Sequence, residues 1–223
     1  MPLTLAVDTT GAHGSIALAD ESGVREEVAL HAPQGFSHVL FGAIEELLAR
    51  QGVKLADIEL FAGASGPGSF TGVRVGLAAI KGLAEVTGRP VVSISNLDAL
   101  ADLSTAPLRC PVLDAQRGEF YAALLGGSGE TLVGESVIPF AKFITLLPGE
   151  KFEWITPDFE LLAPSLAGTM FADYPVIRAP RAMAATLARI ALRRAAAGLA
   201  EDPAAIEANY VRRSDAEIFW KEF

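Results

Sequence analysis

The chain repeats one short pattern, and the repeat limits the folds open to it. Residues 4–18 read Thr-Leu-Ala-Val-Asp-Thr-Thr-Gly-Ala-His-Gly-Ser-Ile-Ala-Leu. That is an apolar run ending at Asp8, a turn carrying Gly11 and Gly14, and a returning run over Ser15–Ala19. With an offset of 106 residues the pattern recurs in Val112-Leu-Asp-Ala-Gln-Arg-Gly-Glu-Phe-Tyr-Ala-Ala-Leu124, so Asp8 falls on Asp114, Ala17 on Ala123 and Leu18 on Leu124. Each copy ends its first strand on one aspartate. Two similar lobes are expected, 1–106 and 107–223, with a boundary near Ser104–Arg109.

The rest of the first lobe alternates strands with helices, which implies a mixed or parallel sheet under helical cover, an α/β fold. The pattern predicts strands at Val24–Leu30, 58–64 and Val91–Ile94. It predicts helices at 38–51, capped by Ser37 or Gln34 and ended by Gly52, at 72–87, closed by Gly88, and at 97–103. In the second lobe a strand over Leu132–Ile138 and a short helix over Pro139–Pro148 are expected. A proline-rich stretch over 149–180 has no clear pattern. A helix over Ala182–Ala197 follows, with Arg193 and Arg194 at its C-terminal end, and the last twenty residues are expected to wrap back as an extended tail.

Between the strand at 58–64 and the helix at 72–87 lies Gly66-Pro-Gly-Ser-Phe-Thr-Gly72. A strand, a glycine-rich turn and a helix N-terminus form a frequent anion cradle. The spacing is nevertheless neither that of a P-loop nor the dinucleotide fingerprint, and Pro67 removes a donor. Tight packing of strand on helix explains the glycines better than phosphate binding does.

Composition narrows the function classes. A formal net charge of -9 argues against nucleic-acid binding by this chain alone, because neutralising phosphates needs a basic face. The single cysteine, Cys110, excludes an internal disulfide and fits a reducing cytoplasm. No leader peptide and no apolar run of membrane-spanning length are read. A cytoplasmic protein is expected.

Two helices carry more apolar surface than one sheet face can cover. At about 100° per residue, Val73, Leu77, Ile80 and Ala84 form one stripe of helix 72–87, while Val75, Ala79, Gly82 and Val86 lie nearly opposite. Only Arg74, Lys81 and Glu85 form a polar strip. In helix 38–51 the core stripe of Leu40, Phe41, Ile44, Leu47 and Leu48 is widened by Val39 and Ala43. The surplus meets either the neighbouring helix or a partner. The partner-binding candidates are Val39, Ala43, Val75, Ala79, Gly82 and Val86.

Catalytic residues are scarce. The three histidines, His13, His31 and His38, show no i, i+4 spacing and no pairing with Cys110, so no metal site is expected. Neither Ser65 nor Ser69 lies in a nucleophile elbow. Asp8 and Asp114 end matching strands, as carboxylates facing a nucleotide would, and they are the cofactor-binding candidates. Asp8 capping its own turn is an equal alternative.

Leu5-Ala-Val-Asp-Thr-Thr10, the helix start at Ser37-His38 and above all Gly66-Pro-Gly-Ser-Phe-Thr-Gly-Val-Arg-Val-Gly-Leu77 resemble the bacterial TsaB (YeaZ) family. The resemblance covers roughly residues 3–125. Tyr210-Val-Arg212 is similar to the family's closing motif, with Ala208 where a proline is expected. The resemblance implies the two-lobed fold of actin, hexokinase and the Hsp70 ATPase, in which a ribonuclease H-like motif is duplicated. It also implies a part in making threonylcarbamoyladenosine beside the tRNA anticodon. There the paralogue TsaD is the catalyst, TsaB its non-catalytic heterodimer partner, and the ATPase TsaE joins them. Contact with tRNA would run through the complex, and any ATP or ADP would bind weakly at the complex interface. The metal-binding histidine pair of TsaD corresponds to Asn96 and Leu100, which cannot replace it. Family members dock TsaD through two N-terminal helices and form homodimers through the same surface when alone. An ATP-dependent phosphotransferase using Asp8 and Asp114, or a peptidase, are the competing readings.

Overall fold

The computed structural model describes residues 2–127 and 129–212, which divide into two units. The first holds residues 2–99 and 181–209, and the second holds 100–127, 129–180 and 210–212.

In the first unit the strands are β1 (Thr4–Asp8), β2 (His13–Asp20) and β3 (Gly23–His31), followed by helix α1 (Leu40–Arg50), β4 (Leu60–Gly66), α2 (Phe70–Thr87) and β5 (Val91–Ser95). They form one sheet in the order β3-β2-β1-β4-β5. β1 pairs antiparallel with β2 and parallel with β4, which in turn pairs parallel with β5. Every residue of β1 and β4 is buried, as expected for central strands covered on both faces. Side chains alternate between faces. Leu5, Val7, Ile16, Leu18 and Phe61 pack with Leu40, Ile44 and Leu47 of α1 and with Val73, Leu77 and Ile80 of α2. Ala6, Ala17 and Ala62, also fully buried, line the other face and leave it shallow.

Helix α3 (Asn96–Ala101) stands at the division between units. The second unit holds β6 (Leu108–Asp114), β7 (Glu119–Gly126), β8 (Thr131–Pro139), α4 (Phe140–Phe143), β9 (Glu153–Thr156), α5 (Phe159–Leu166) and β10 (Val176–Arg178). Its sheet order is β10-β9-β6-β7-β8. Read from the other edge, this is the first sheet's order, with the same parallel and antiparallel pairings. The duplication expected from Asp8 and Asp114 is therefore a duplication of topology. The cores differ: the second is aromatic, with Phe152 against Trp154 at 4.8 Å between ring centroids and Phe152 against Tyr174 at 4.9 Å. Cys110 is fully buried there, and burial pushes its thiol up.

Helix α6 (Ala184–Ala196) lies in the first unit, which corrects the expected division at residue 106. The reason is shape and hydrogen bonding. α6 packs on β1, β2 and β4, and its buried Ala184, Ala188 and Ala191 suit a sheet face lined by alanine. Its first turn has free N–H groups that no side chain of its own caps. The hydroxyl of Ser15 on β2 accepts from the N–H of Met183 at 3.0 Å and of Ala184 at 2.9 Å, and Glu27 on β3 accepts from Ala185 at 2.8 Å. At the other end Arg194 pairs with Asp98 at 2.9 Å.

The tail wraps back as expected over its described part. Glu201 bridges to Val91 at the edge of β5, the Lys81 ammonium donates to the carbonyl of Ile206 at 2.9 Å, and Asn209 N–H donates to Ser65 at 2.8 Å. Residues 213–223 lie outside the described residues. Other differences are local. α1 begins two residues late, after a 3-10 turn over Phe36–His38, and has no side-chain cap. α2 begins two residues early because Ser69 caps it. Among the described residues no helix is long and apolar enough to cross a membrane.

Ser15→Ala strands two buried N–H groups at once and is expected to destabilise the chain by about 1–2 kcal/mol. The denaturation midpoint measures this. Loss of hydrogen-exchange protection in residues 184–190 beyond that of the β strands identifies α6 as the element released.

Candidate functional site

The glycine-rich turn and the turn after β1 are packed into each other. Ser69 N–H donates to the carbonyl of Thr10 at 2.7 Å, and the Thr9 hydroxyl donates to the carbonyl of Gly72 at 2.7 Å. Ser69 Oγ accepts from Gly72 N–H at 3.3 Å, capping α2. A Cβ on Gly72 would stand 2.0 Å from the Thr9 carbonyl oxygen, and one on Gly68 would stand 2.5 Å from that of Thr10. These glycines exist so that one backbone can lie against another. Of the N–H groups at the start of α2, that of Ser69 is taken by the Thr10 carbonyl and that of Gly72 by Ser69 Oγ. Of the two readings of this motif, tight packing is the one observed.

Asp8 is buried beneath this contact. Its Oδ1 accepts from the Thr10 N–H at 2.9 Å and from the Thr10 hydroxyl at 2.6 Å. Asn96, at the start of α3, donates to the Thr10 hydroxyl and, at 3.0 Å, to the carbonyl of Pro67. Asn96, Thr10 and Asp8 thus form one directed chain of hydrogen bonds that ties α3, the glycine turn and β1 together. Burial holds the Asp8 carboxyl above its ordinary 3.8. The Thr10 bonds offset this only in part, and the charge of Glu27 adds to it. Asp114 ends β6 in an exposed position, and its Oδ1 accepts from Gln116 N–H at 2.8 Å. Both aspartates therefore hold the N–H two residues on, the same local turn in each copy. Leu100, the other position compared with a metal ligand, is buried at 2% exposure.

The six partner-binding candidates divide. Val86 is 83% exposed and Val39 39% exposed, and Gly82 is exposed with open space beyond it. Ala43 and Val75 are half-buried against the core. Ala79 is a correction: it is buried within the core. The buried arc of α2 runs from Gly72, Gly76 and Ala79 round to Leu77 and Ala84, wider than the roughly 100° assumed for a helix on one sheet. Outside it lies the row Phe70, Arg74, Ala78, Gly82 and Val86, all exposed and four residues apart, hence on one face, with Thr71 and Glu85 exposed beside it. Arg74 lies over the Phe70 ring at 3.8 Å. On α1, Phe41 is 56% exposed, although the periodicity put it in the core stripe. The signal for the row was its small and apolar content at i, i+4 spacing.

Arg212, in the motif Tyr210-Val-Arg212, donates to the carbonyl of Ala115 at 2.9 Å, pairs with Glu119 and lies over the Tyr121 ring. It braces the turn after β6, a role no spacing revealed. Ala208, where a proline was expected, packs against the first core.

Gly72→Ala is expected to cost more than about 3 kcal/mol or to abolish folding, since backbone must move to admit the methyl. Gly82→Ala, facing open space in a helix, should stabilise the chain by about 0.5–1 kcal/mol. Thermal unfolding of the two variants side by side checks this. Because the folded state holds the Asp8 proton more tightly, the stability from Asp8 is complete below about 3.8 and is lost as pH rises through its raised value. Asp8→Asn keeps an acceptor for Thr10, so the variant should gain on the parent chain as pH rises above about 3.8. Urea midpoints that differ by a constant amount across that range would contradict the assignment.

The family profile for TsaD, tRNA N6-adenosine threonylcarbamoyltransferase, matches residues 24–220. The tRNA threonylcarbamoyladenosine biosynthesis protein TsaB of Haemophilus influenzae is 36% identical over 121 residues, 52% of this chain and 51% of that protein. The tRNA N6-adenosine threonylcarbamoyltransferase of Sorangium cellulosum is 33% identical over 150 residues, 58% of this chain and 42% of that protein. The chain thus spans about half the length of the curated relatives it matches. The solved structure of YeaZ from Pseudomonas aeruginosa aligns with a TM-score of 0.76 at 23% identity, covering 94% of this chain and 100% of that one, a likeness of fold. With the profile extending over most of its length and TsaB proteins among its relatives, the chain belongs to the TsaD family of tRNA threonylcarbamoyladenosine proteins and, within it, to the TsaB or YeaZ group.

Proposed function

We propose that the chain is a non-catalytic subunit of the machinery that makes N6-threonylcarbamoyladenosine in tRNA, docking a TsaD-type transferase and acting with the ATPase TsaE. The observation that carries this is the exposed row Phe70, Arg74, Ala78, Gly82 and Val86 on one face of α2, with Val39 and Phe41 at the start of α1 exposed as well. Small residues in such a row let a second helix approach closely, and the aromatic and valine side chains around them supply apolar area. The same face would serve a homodimer when the transferase is absent. Contact with tRNA would pass through the complex, because a net charge of -9 opposes direct binding.

The absence of own catalysis is part of the proposal. The Asn96 amide N–H group is given to Thr10 and Pro67, and Leu100 is an apolar, buried side chain with no atom to ligate a metal. The phosphotransferase reading loses support because the backbone of Thr9 and Thr10 lies against the glycine turn. Nucleotide, if part of the assembly, would be held weakly at its interface and not tightly by this chain.

Gly82→Arg and Val86→Glu test the docking face without touching the core. Gly82→Arg should keep or raise the parent chain's thermal midpoint, Val86→Glu should keep it, and both should lose co-purification with the tagged transferase. Threonylcarbamoyladenosine formation in the reconstituted system should fall to the level seen without the chain. An intact heterodimer and unchanged modification in both variants would defeat the proposal, as would steady substrate turnover by the chain alone.

A further inference from the structure

His13 and His31 stand 18 residues apart in sequence, a separation that matches no ligand pattern. The sheet brings them together. β2 and β3 place them directly opposite each other at the end of the antiparallel ladder, with ring centroids 5.6 Å apart and planes inclined by 30°. Both are exposed. Among the described residues the partner of each imidazole is the other ring, and neither forms a hydrogen bond.

We propose that His13 and His31 form a surface site for one divalent transition-metal ion of the class that favours imidazole: zinc, copper or nickel. The distance suits it. An imidazole nitrogen lies roughly 1 Å from its ring centre, and a metal binds it at about 2 Å, so two rings on one metal have centres about 5–6 Å apart. Solvent exposure leaves both rings free to turn a nitrogen toward the ion.

The backbone beneath the pair is already fixed. Gly14 pairs with Leu30 and Ser15 with Ala29 in the adjacent rungs, and Gly14 is covered by the Phe36 ring. The ordering cost of bringing the two ligands together is therefore met by the sheet. No group of three or more His, Cys, Asp or Glu side chains able to hold a metal occurs among the described residues. The ion would accordingly keep water in its other positions, as in an open site and unlike a closed structural one. Bound there, it would clasp the hairpin of β2 and β3 and raise its stability in proportion to metal concentration.

The test is titration of the full chain with zinc chloride by calorimetry, and with substoichiometric copper(II) by NMR of the imidazole protons. His13→Gln, His31→Gln and the double variant are compared with His38→Gln, which alters the remaining histidine. Expected are one ion per chain, affinity reduced by roughly tenfold or more in each of the first three variants, and little change in His38→Gln. Copper should broaden the His13 and His31 signals before that of His38, and zinc should raise the thermal midpoint of the parent chain but not of the double variant. Equal zinc binding by the parent and the double variant would assign the ion to the acidic surface and overturn the site. Equal broadening of all three histidines would overturn it as well. Identical midpoints of parent and variants without metal confirm that a lost signal is not a lost fold.

Discussion

The contact between the Thr9–Thr10 backbone and the first turn of α2 is the constraint from which much of the first unit follows. It requires residues without side chains at positions 68 and 72, where a Cβ would fall 2.5 and 2.0 Å from a carbonyl oxygen. Once made, it fixes α2 against β1, lets Ser69 cap the helix, and places Thr10 where Asn96 and Asp8 can share its hydroxyl. A phosphate-binding protein leaves this space for its ligand. Here the backbone of Thr9 and Thr10 lies against the glycine-rich turn, which makes the turn a joint between strand and helix.

The duplication is preserved where backbone geometry is at stake and relaxed where packing is. Both sheets have one order and one set of pairings, and both first strands end on an aspartate that holds the N–H two residues on. The interiors differ in balance: the first is mainly aliphatic with Phe36 and Phe61, while half of the second is aromatic, Phe120, Phe140, Phe143, Phe152, Trp154 and Phe171. Topology tolerates such exchange because strand pairing uses the main chain, and a core needs only matching volume and apolar character.

Much of this was legible in the chain. The strands of the first unit follow from apolar runs bounded by turns, and the two-copy plan follows from Asp8 and Asp114. What was not legible depends on partners distant in sequence. α6 belongs with the first sheet because Ser15 and Glu27, more than 150 residues earlier, hold its first turn; no local pattern encodes that. Ala79 and Phe41 exchanged places relative to the periodic reading, since the width of a helix's buried arc depends on what packs beside it. The pairing of His13 with His31 is visible only once the strand register is known. Arg212 likewise has its partners some 90 residues away.

The return of α6 to the first sheet also has a consequence for synthesis. The alanine face of β1, β2 and β4 has no cover until residues 181–209 have left the ribosome, so the lobe whose strands are made first is the last to be sealed. A nascent chain long enough to contain both sheets still exposes the shallow side of the earlier one, and its closure joins segments separated by the whole intervening unit. The first unit therefore depends for its second cover on a segment made after the whole of the intervening unit.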